Sequence, residues 1–322
     1  MTIHASKMIK KLNFHKLITI FIVVFLPITL LTACGKRVAM LPPNADFYVL
    51  DLSDSGKADD QFERINQDVM KSLTRNSLGQ PFVVDDLPAY GPTVTTFSFV
   101  GNNSRFLKTF QLQDYEKVSQ LFDIVKDDTR AQSSWAKLTS TYQSILEPLL
   151  TSGNLQEFTQ EACLQEFDSS LKDYFSGTQM RGDLVDKLCQ MSIFTVAKYK
   201  SLVSYIAIEK NNHKTSDVFG AIELLNNSVE SILKENPAAK VKITLATDGE
   251  NYLGPNNSLN SSAILKNRDA CEEGKNVYQK LSAKSLRGMS IELPGIGALI
   301  GDKAEYAGKL DRFWRCFFAL SK

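Results

Sequence analysis

Hydrophobic residues along this chain recur with two different periods, and the switches between them mark out its elements. The run Asp46-Phe-Tyr-Val-Leu50 is continuously apolar after its first residue and stops at Asp51, the pattern of a strand buried in a parallel sheet. Phe62, Ile65, Val69, Met70 and Leu73 then fall at intervals that predict an amphipathic helix. Thr93 to Val100 is rich in β-branched and aromatic residues and precedes the turn Gly101-Asn102-Asn103, so it predicts a second strand. Phe106 to Leu112 is expected to pair back on it as a short edge strand.

From Asp114 to about Asn211 the pattern turns helical and polar. One stripe, Trp135, Leu138, Tyr142, Ile145, Leu146 and Leu149, has the spacing of a seam between packed helices. Leu202 to Ile208 fits either a strand or the end of a helix. Alternation then resumes with a helix over Val218 to Leu233 and the strand Val241 to Ala246, which ends at Thr247-Asp248-Gly249. A helix over roughly Ser262 to Ala283, the strand Met289 to Leu293 closed by Pro294-Gly295, and an amphipathic helix over Lys303 to Leu320 complete the chain. Strands alternating with helices predict an α/β fold, doubly wound around a mostly parallel sheet, with a helical insertion over about 114–211.

The first 33 residues stand apart from this pattern. Lys7, Lys10, Lys11 and Lys16 precede an almost wholly apolar run from Leu17 to Leu31, the layout of an export signal and short for a membrane span. At its end Leu31-Thr32-Ala33-Cys34 resembles the lipobox of bacterial lipoproteins. That resemblance implies cleavage before Cys34, a diacylglyceryl thioether on its sulfur and an acyl chain such as palmitate on the new amino terminus. Several chains together anchor a protein stably. The alternatives are an uncleaved anchor helix and an ordinary signal followed by a chance cysteine. Residues 34–44, with Pro42 and Pro43, read as a tether to a domain over 45–322. The expected location is the cell envelope. Gly35 lacks the acidic signal for inner-membrane retention, which favours the outer membrane in a cell that has two.

Removing the signal takes four of the 37 basic residues and no acids, leaving 33 against 36 acidic and a net charge of −3. No clustered basic run remains, so nucleic acid is not an expected partner. Cys163, Cys189, Cys271 and Cys316 are an even set in a compartment that permits disulfides. Of three possible pairings, Cys163 with Cys189 and Cys271 with Cys316 keeps each pair within one region; free buried thiols are the alternative. Only His213 remains outside the signal, which leaves a Ser-His-Asp triad or a multi-histidine metal centre poorly supplied.

Three oxygen-rich turns carry the candidate chemistry. Asp51-Leu52-Ser53-Asp54-Ser55 leaves the first buried strand, Asp248-Gly249-Glu250 ends the second, and Lys214-Thr215-Ser216-Asp217 opens a helix. Two carboxylates and several hydroxyls are hard donors suited to Mg2+ or Mn2+, which want near-octahedral oxygens and are commonly held by one or two carboxylates. In an open sheet, ligands gather beyond the carboxyl ends of strands where the strand order reverses.

This set resembles the metal-ion-dependent adhesion site of the von Willebrand factor A family. The resemblance runs over Phe47 to Ser55, then from Ser216 through Lys242 to Glu250 and on to Ile291 to Gly297. It implies that Ser53 and Ser55 coordinate directly, that Asp51 and Asp248 act directly or through water, and that a loop hydroxyl completes the shell. The family's threonine corresponds by spacing to Ser216, with Thr215 one residue off. It also implies a protein partner that presents a carboxylate, and no enzymatic activity. The 164 residues between Asp51 and Thr215 are about twice the family's gap, so the helical segment reads as an insertion, one use of which is to bring a recognition surface to the metal.

Other readings compete with this one. Asp and Ser commonly end strands and cap helices without binding anything. A magnesium-dependent phosphohydrolase of the haloacid dehalogenase type has a similar topology, but it needs a second aspartate where this chain has Ser53. A metal-free structural scaffold is the third. Elsewhere, His213 reads as a solvated loop residue, Arg181-Gly182-Asp183 as a chance tripeptide, and Phe313, Trp314, Phe317 and Phe318 as a helix face packed on the sheet.

Overall fold

Strand β1 (Asn44–Asp51) is the centre of a five-stranded sheet in the order β3-β2-β1-β4-β5. The computed structural model describes residues 40–82, 89–152, 158–175, 177–210, 212–266, 268–281, 283–296 and 304–319. The signal segment and Cys34 lie outside them. Among the described residues no helix is long and apolar enough to cross a membrane.

After β1 come α1 (Ala58–Leu73), β2 (Thr93–Val100) and β3 (Phe110–Gln111). Helices α2 (Tyr115–Val125), α3 (Thr129–Ser133), α4 (Trp135–Ser152), α5 (Gln160–Leu171) and α6 (Thr178–Glu209) follow. The chain then returns through α7 (Val218–Glu235), β4 (Val241–Ala246), α8 (Ser261–Ile264), α9 (Ala270–Leu281), β5 (Ser290–Glu292) and α10 (Ala304–Phe317). Strands β2, β1, β4 and β5 are mutually parallel, and β3 is an antiparallel edge. In register, Tyr48 stands beside Phe97 of β2 and Thr244 of β4. The chain builds outward from β1 in one direction through β2 and in the other through β4. The strand order therefore reverses between β1 and β4, the position where such sheets hold their ligands.

Helices cover both faces, as a sheet buried on both sides requires. On one face Phe47, Val49, Ile243 and Leu245 pack with Ile222 of α7, Val277 of α9 and Phe313 and Trp314 of α10. Cys271 is joined to Cys316, tying α9 to α10. Between those helices a Cβ at Gly274 would collide with the Phe313 carbonyl, so only glycine permits their approach. On the other face Tyr48 stacks on Phe97 at 5.1 Å, Phe97 meets Phe62 of α1, and Phe99 meets Tyr205 of α6 at 5.0 Å.

Among the described residues the helical segment between β3 and α7 comprises five helices. Asp114 caps α2 by accepting from Glu116 and Lys117 backbone N–H groups, and Trp135, Leu138, Tyr142 and Leu146 are fully buried. Cys163 of α5 is joined to Cys189 of α6. Along its 32 residues α6 reaches back to the sheet: Tyr199 donates to Asn66 of α1 at 3.2 Å, and Lys210 pairs with Asp59 at 2.5 Å. It thereby hands the chain to residues 212–217 at the carboxyl end of β1.

Several sequence expectations are corrected. The edge strand is two residues, not seven. Ser104 forms bonds to Asp217, a 3-10 turn over Ser104–Phe106 follows, and Phe106 is left exposed. Of the two readings of Leu202 to Ile208, the helix end holds, since α6 simply continues through it. The helix expected over Ser262 to Ala283 is two. Asp269 accepts from the N–H groups of Cys271 and Glu272 and restarts the helix there, as a capping carboxylate does. The segment Arg181-Gly182-Asp183 lies within α6, with Arg181 paired to Asp168 at 2.8 Å.

Candidate metal centre

The carboxyl end of β1 delivers Asp51 into a pocket that excludes water completely, and its two oxygens accept four hydrogen bonds. Oδ1 takes the Ser53 N–H at 2.9 Å and the Ser53 hydroxyl at 2.6 Å, a tight turn that Ser and Asp form with their own backbone. Oδ2 takes the Ser216 hydroxyl at 3.0 Å and the Thr247 hydroxyl at 2.6 Å. Gly56 lies flat against this carboxylate; a Cβ there would strike the Asp51 carboxyl carbon.

Asp248, one residue beyond Thr247 and also buried, accepts the Glu250 N–H at 2.8 Å. Ser55 is exposed and its hydroxyl lies 3.3 Å from that of Ser53, so the cluster runs from the buried Asp51 to the surface. The three separated turns therefore meet in one place. Ser216 arrives because its backbone pairs with Tyr252 in a two-way bridge, 2.7 and 2.9 Å.

Burial is the main reason the Asp51 carboxyl is pushed up to about 6, with the neighbouring Asp248 charge adding to it. The hydrogen bonds from Ser53 and Thr247 work against that rise. Asp248 is also raised by burial, opposed by Glu250 N–H and Ser55. No ion pair among the described residues includes either aspartate. Two buried like charges without a cation are costly, and a bound divalent ion would relieve both desolvation and repulsion.

The donor set fits such an ion. Ser53 and Ser216 each direct the hydroxyl proton at Asp51, which leaves their lone pairs for a metal. Asp51, with every oxygen engaged, is suited to orienting those hydroxyls, while Ser55 and Asp248 stand at the open side. Among the described residues no three His, Cys, Asp or Glu side chains form a metal cage, so the shell would be two carboxylates plus hydroxyls and water.

Thr215 is not part of the site. Its hydroxyl and N–H both go to the Asn102 side chain at 2.9 and 3.0 Å, because neighbouring side chains of an extended segment point to opposite sides. His213 is corrected as well: it is buried, its Nδ1 accepts the Asn102 N–H at 3.2 Å, and its carbonyl accepts the Asp54 N–H. It pins the Ser216 loop to the Asp51 turn.

Several contributors escaped the sequence reading. Thr247 supplies the shortest bond to Asp51 from outside its own turn, and its only sequence signal is a hydroxyl just before Asp248. Asn251 accepts the Phe219 N–H of α7 and donates to the Leu259 carbonyl, fixing the β4 loop. Trp314, read as packing alone, also donates its indole N–H to the Gly249 carbonyl at 2.9 Å. Gly249 has φ +80, and any Cβ there would meet Trp314 and Ile296. Asn102 anchors Thr215 and His213.

The sequence matches no family profile, no curated protein and no solved structure. What can be argued of its activity rests on these residues and their geometry.

Proposed function

We propose that this chain is an envelope lipoprotein, anchored through Cys34, whose von Willebrand factor A-like domain binds Mg2+ or Mn2+ and, through the metal, a carboxylate on a partner protein. The observation that carries this reading is the buried pair Asp51 and Asp248, without a cationic partner among the described residues and ringed by the hydroxyls of Ser53, Ser55, Ser216 and Thr247. The strand order also supports it, with a reversal between β1 and β4 and an antiparallel β3 at the edge.

In that reading the residues divide the work. Asp51 orients Ser53 and Ser216, Ser53 and Ser55 ligate with Ser216, and Asp248 binds directly or through water. A shell with so little negative charge leaves the ion electrophilic, so a carboxylate from outside completes it. The chain enters the sheet at Asn44, at the opposite end of β1 from Asp51.

Capture of envelope proteins on the detergent-solubilised full chain tests the reading. Partners should be retained in MgCl2, released by EDTA, and lost with Asp51→Ala. Retention that ignores both changes points to a scaffold. Metal-dependent hydrolysis of a phosphate ester that Asp51→Ala abolishes points to a phosphohydrolase.

A further inference from the structure

Beside the disulfide that joins α9 to α10 lies a cavity of about 550 Å3, which has Cys316 in its wall and shares no lining residue with the metal centre. Three cations line it: Lys275 of α9, and Lys284 and Arg287 on the turn that leads from α9 to β5. Among the described residues no acidic side chain lines it, and none of the three cations forms an ion pair. Lys275 acts through space on Asp269, but that carboxylate already holds Arg312 at 3.1 Å and two backbone N–H groups. The clefts beside Asp217 and beside Asp46 instead hold charges of both signs. One sign of charge is all the more local here because residues 34–322 carry more acids than bases.

The turn that presents two of the cations is firmly held. Ala283 and Leu286 are completely buried, and the Ser285 N–H donates to the Asn226 side chain of α7 at 3.0 Å. Gly288, at φ +79, then lets the chain bend from Arg287 into β5. Beneath the cations the cavity rests on Tyr278, which meets Phe317 edge-on at 5.4 Å, and on the buried Phe317 and Phe318. Little of either phenylalanine is open, so half-buried Tyr278 is the ring a ligand would meet. A concavity lined by one sign of charge over a low-dielectric floor focuses its field and concentrates ions of the other sign. Its volume is that of a small-molecule pocket, roughly 300–1,000 Å3.

We propose that this cavity binds a small organic phosphate, a monoester whose dianionic head meets Lys275, Lys284 and Arg287 and whose ester group lies on Tyr278. Three fixed cations match a dianion better than a single carboxylate, and the planar guanidinium of Arg287 can hold two phosphate oxygens at once. The assignment does not depend on the metal reading.

The test titrates phenyl phosphate, inorganic phosphate and benzyl alcohol by calorimetry into the full chain in a nonionic detergent. EDTA is present throughout, which keeps phosphate from binding through a metal. Phenyl phosphate should bind at one site, inorganic phosphate about tenfold more weakly, and benzyl alcohol not measurably. Lys275→Gln, Lys284→Gln and Arg287→Gln change exposed side chains, and each should weaken phenyl phosphate by about tenfold, the scale of one contact to a charged group. Lys200→Gln, an exposed cation on α6, should leave it unchanged. No saturable binding of phenyl phosphate, or equal weakening by Lys200→Gln, overturns the site. Capture by vesicles containing phosphatidic acid without any binding of phenyl phosphate makes this face a lipid contact, and the small-molecule assignment is then wrong. Lowered melting temperatures in the three variants with no phosphate binding in the parent chain would assign the cations to the carboxyl ends of α9 and α10, which also overturns it.

Discussion

Ser216 donates its hydroxyl to the Asp51 carboxylate across 3.0 Å, joining positions 165 residues apart in the chain. That bond exists because α6 returns the chain to the end of β1, and it separates Ser216 from its neighbour. Ser216→Ala should cut Mg2+ affinity by about tenfold or more, the scale of losing a directed contact of 1–2 kcal/mol. Thr215→Ala should change it little, since that hydroxyl is spent on Asn102. Calorimetric titration of both variants checks this, and equal losses would contradict the placement of Thr215 outside the site.

Gly56 touches the Asp51 carboxylate closely enough that Gly56→Ala must displace one of them. The expected outcome is loss of the Mg2+-dependent rise in melting temperature, with far-ultraviolet circular dichroism unchanged because the strand and helices do not depend on that turn. An unaltered response to Mg2+ would show that the carboxylate position is immaterial.

The pH dependence has a definite sign. Asp51 is raised from its ordinary range to about 6 in the folded protein, so it contributes stability when protonated. That contribution is present below about pH 4 and is lost as pH rises to about 6, on the order of 3 kcal/mol for this group. Without metal, the melting temperature should therefore gain from this carboxyl at mildly acidic pH. Saturating Mg2+ should restore the loss above pH 6, and Mg2+ affinity should weaken below it as protons compete. Melting curves between pH 4 and 8, with Mg2+ and with EDTA, read both effects; Asp51→Asn should remove them.

Trp314 ties α10 to the Asp248 turn through the Gly249 carbonyl. Trp314→Phe keeps an aromatic ring but loses the donor, so it should cost about 1–3 kcal/mol in stability. It should also lower Mg2+ affinity, because the turn that presents Asp248 loosens. A loss of stability with unchanged metal affinity would limit Trp314 to packing.

Much of the sheet was legible in the sequence because buried parallel strands are short apolar runs: Phe47 to Leu50 and Val241 to Ala246 are both strands, and each leads directly into its aspartate. The edge strand is shorter than its sequence pattern predicts because Ser104 and Phe106 answer to Asp217 and to solvent, contacts with no local pattern. Asp51, Ser53, Ser55 and Asp248 could be named from their turns. Spacing already favours Ser216 over Thr215, and the Tyr252 bridge gives the physical reason, fixing the alternation that turns the two side chains apart. Thr247 was missed for a different reason: a hydroxyl one residue before an aspartate looks like any strand end. His213, polar and in a loop, gave no sign that the crossing of two turns buries it.

Diffraction at the manganese absorption edge, on crystals of the domain from Met40 onward grown with MnCl2, bears on the metal centre most directly. An anomalous peak about 2 Å from the hydroxyls of Ser53, Ser55 and Ser216 and beside Asp248 is the expected result. No peak there at saturating Mn2+, with the Asp51 and Asp248 carboxyls still side by side and the cluster open to solvent, would contradict it.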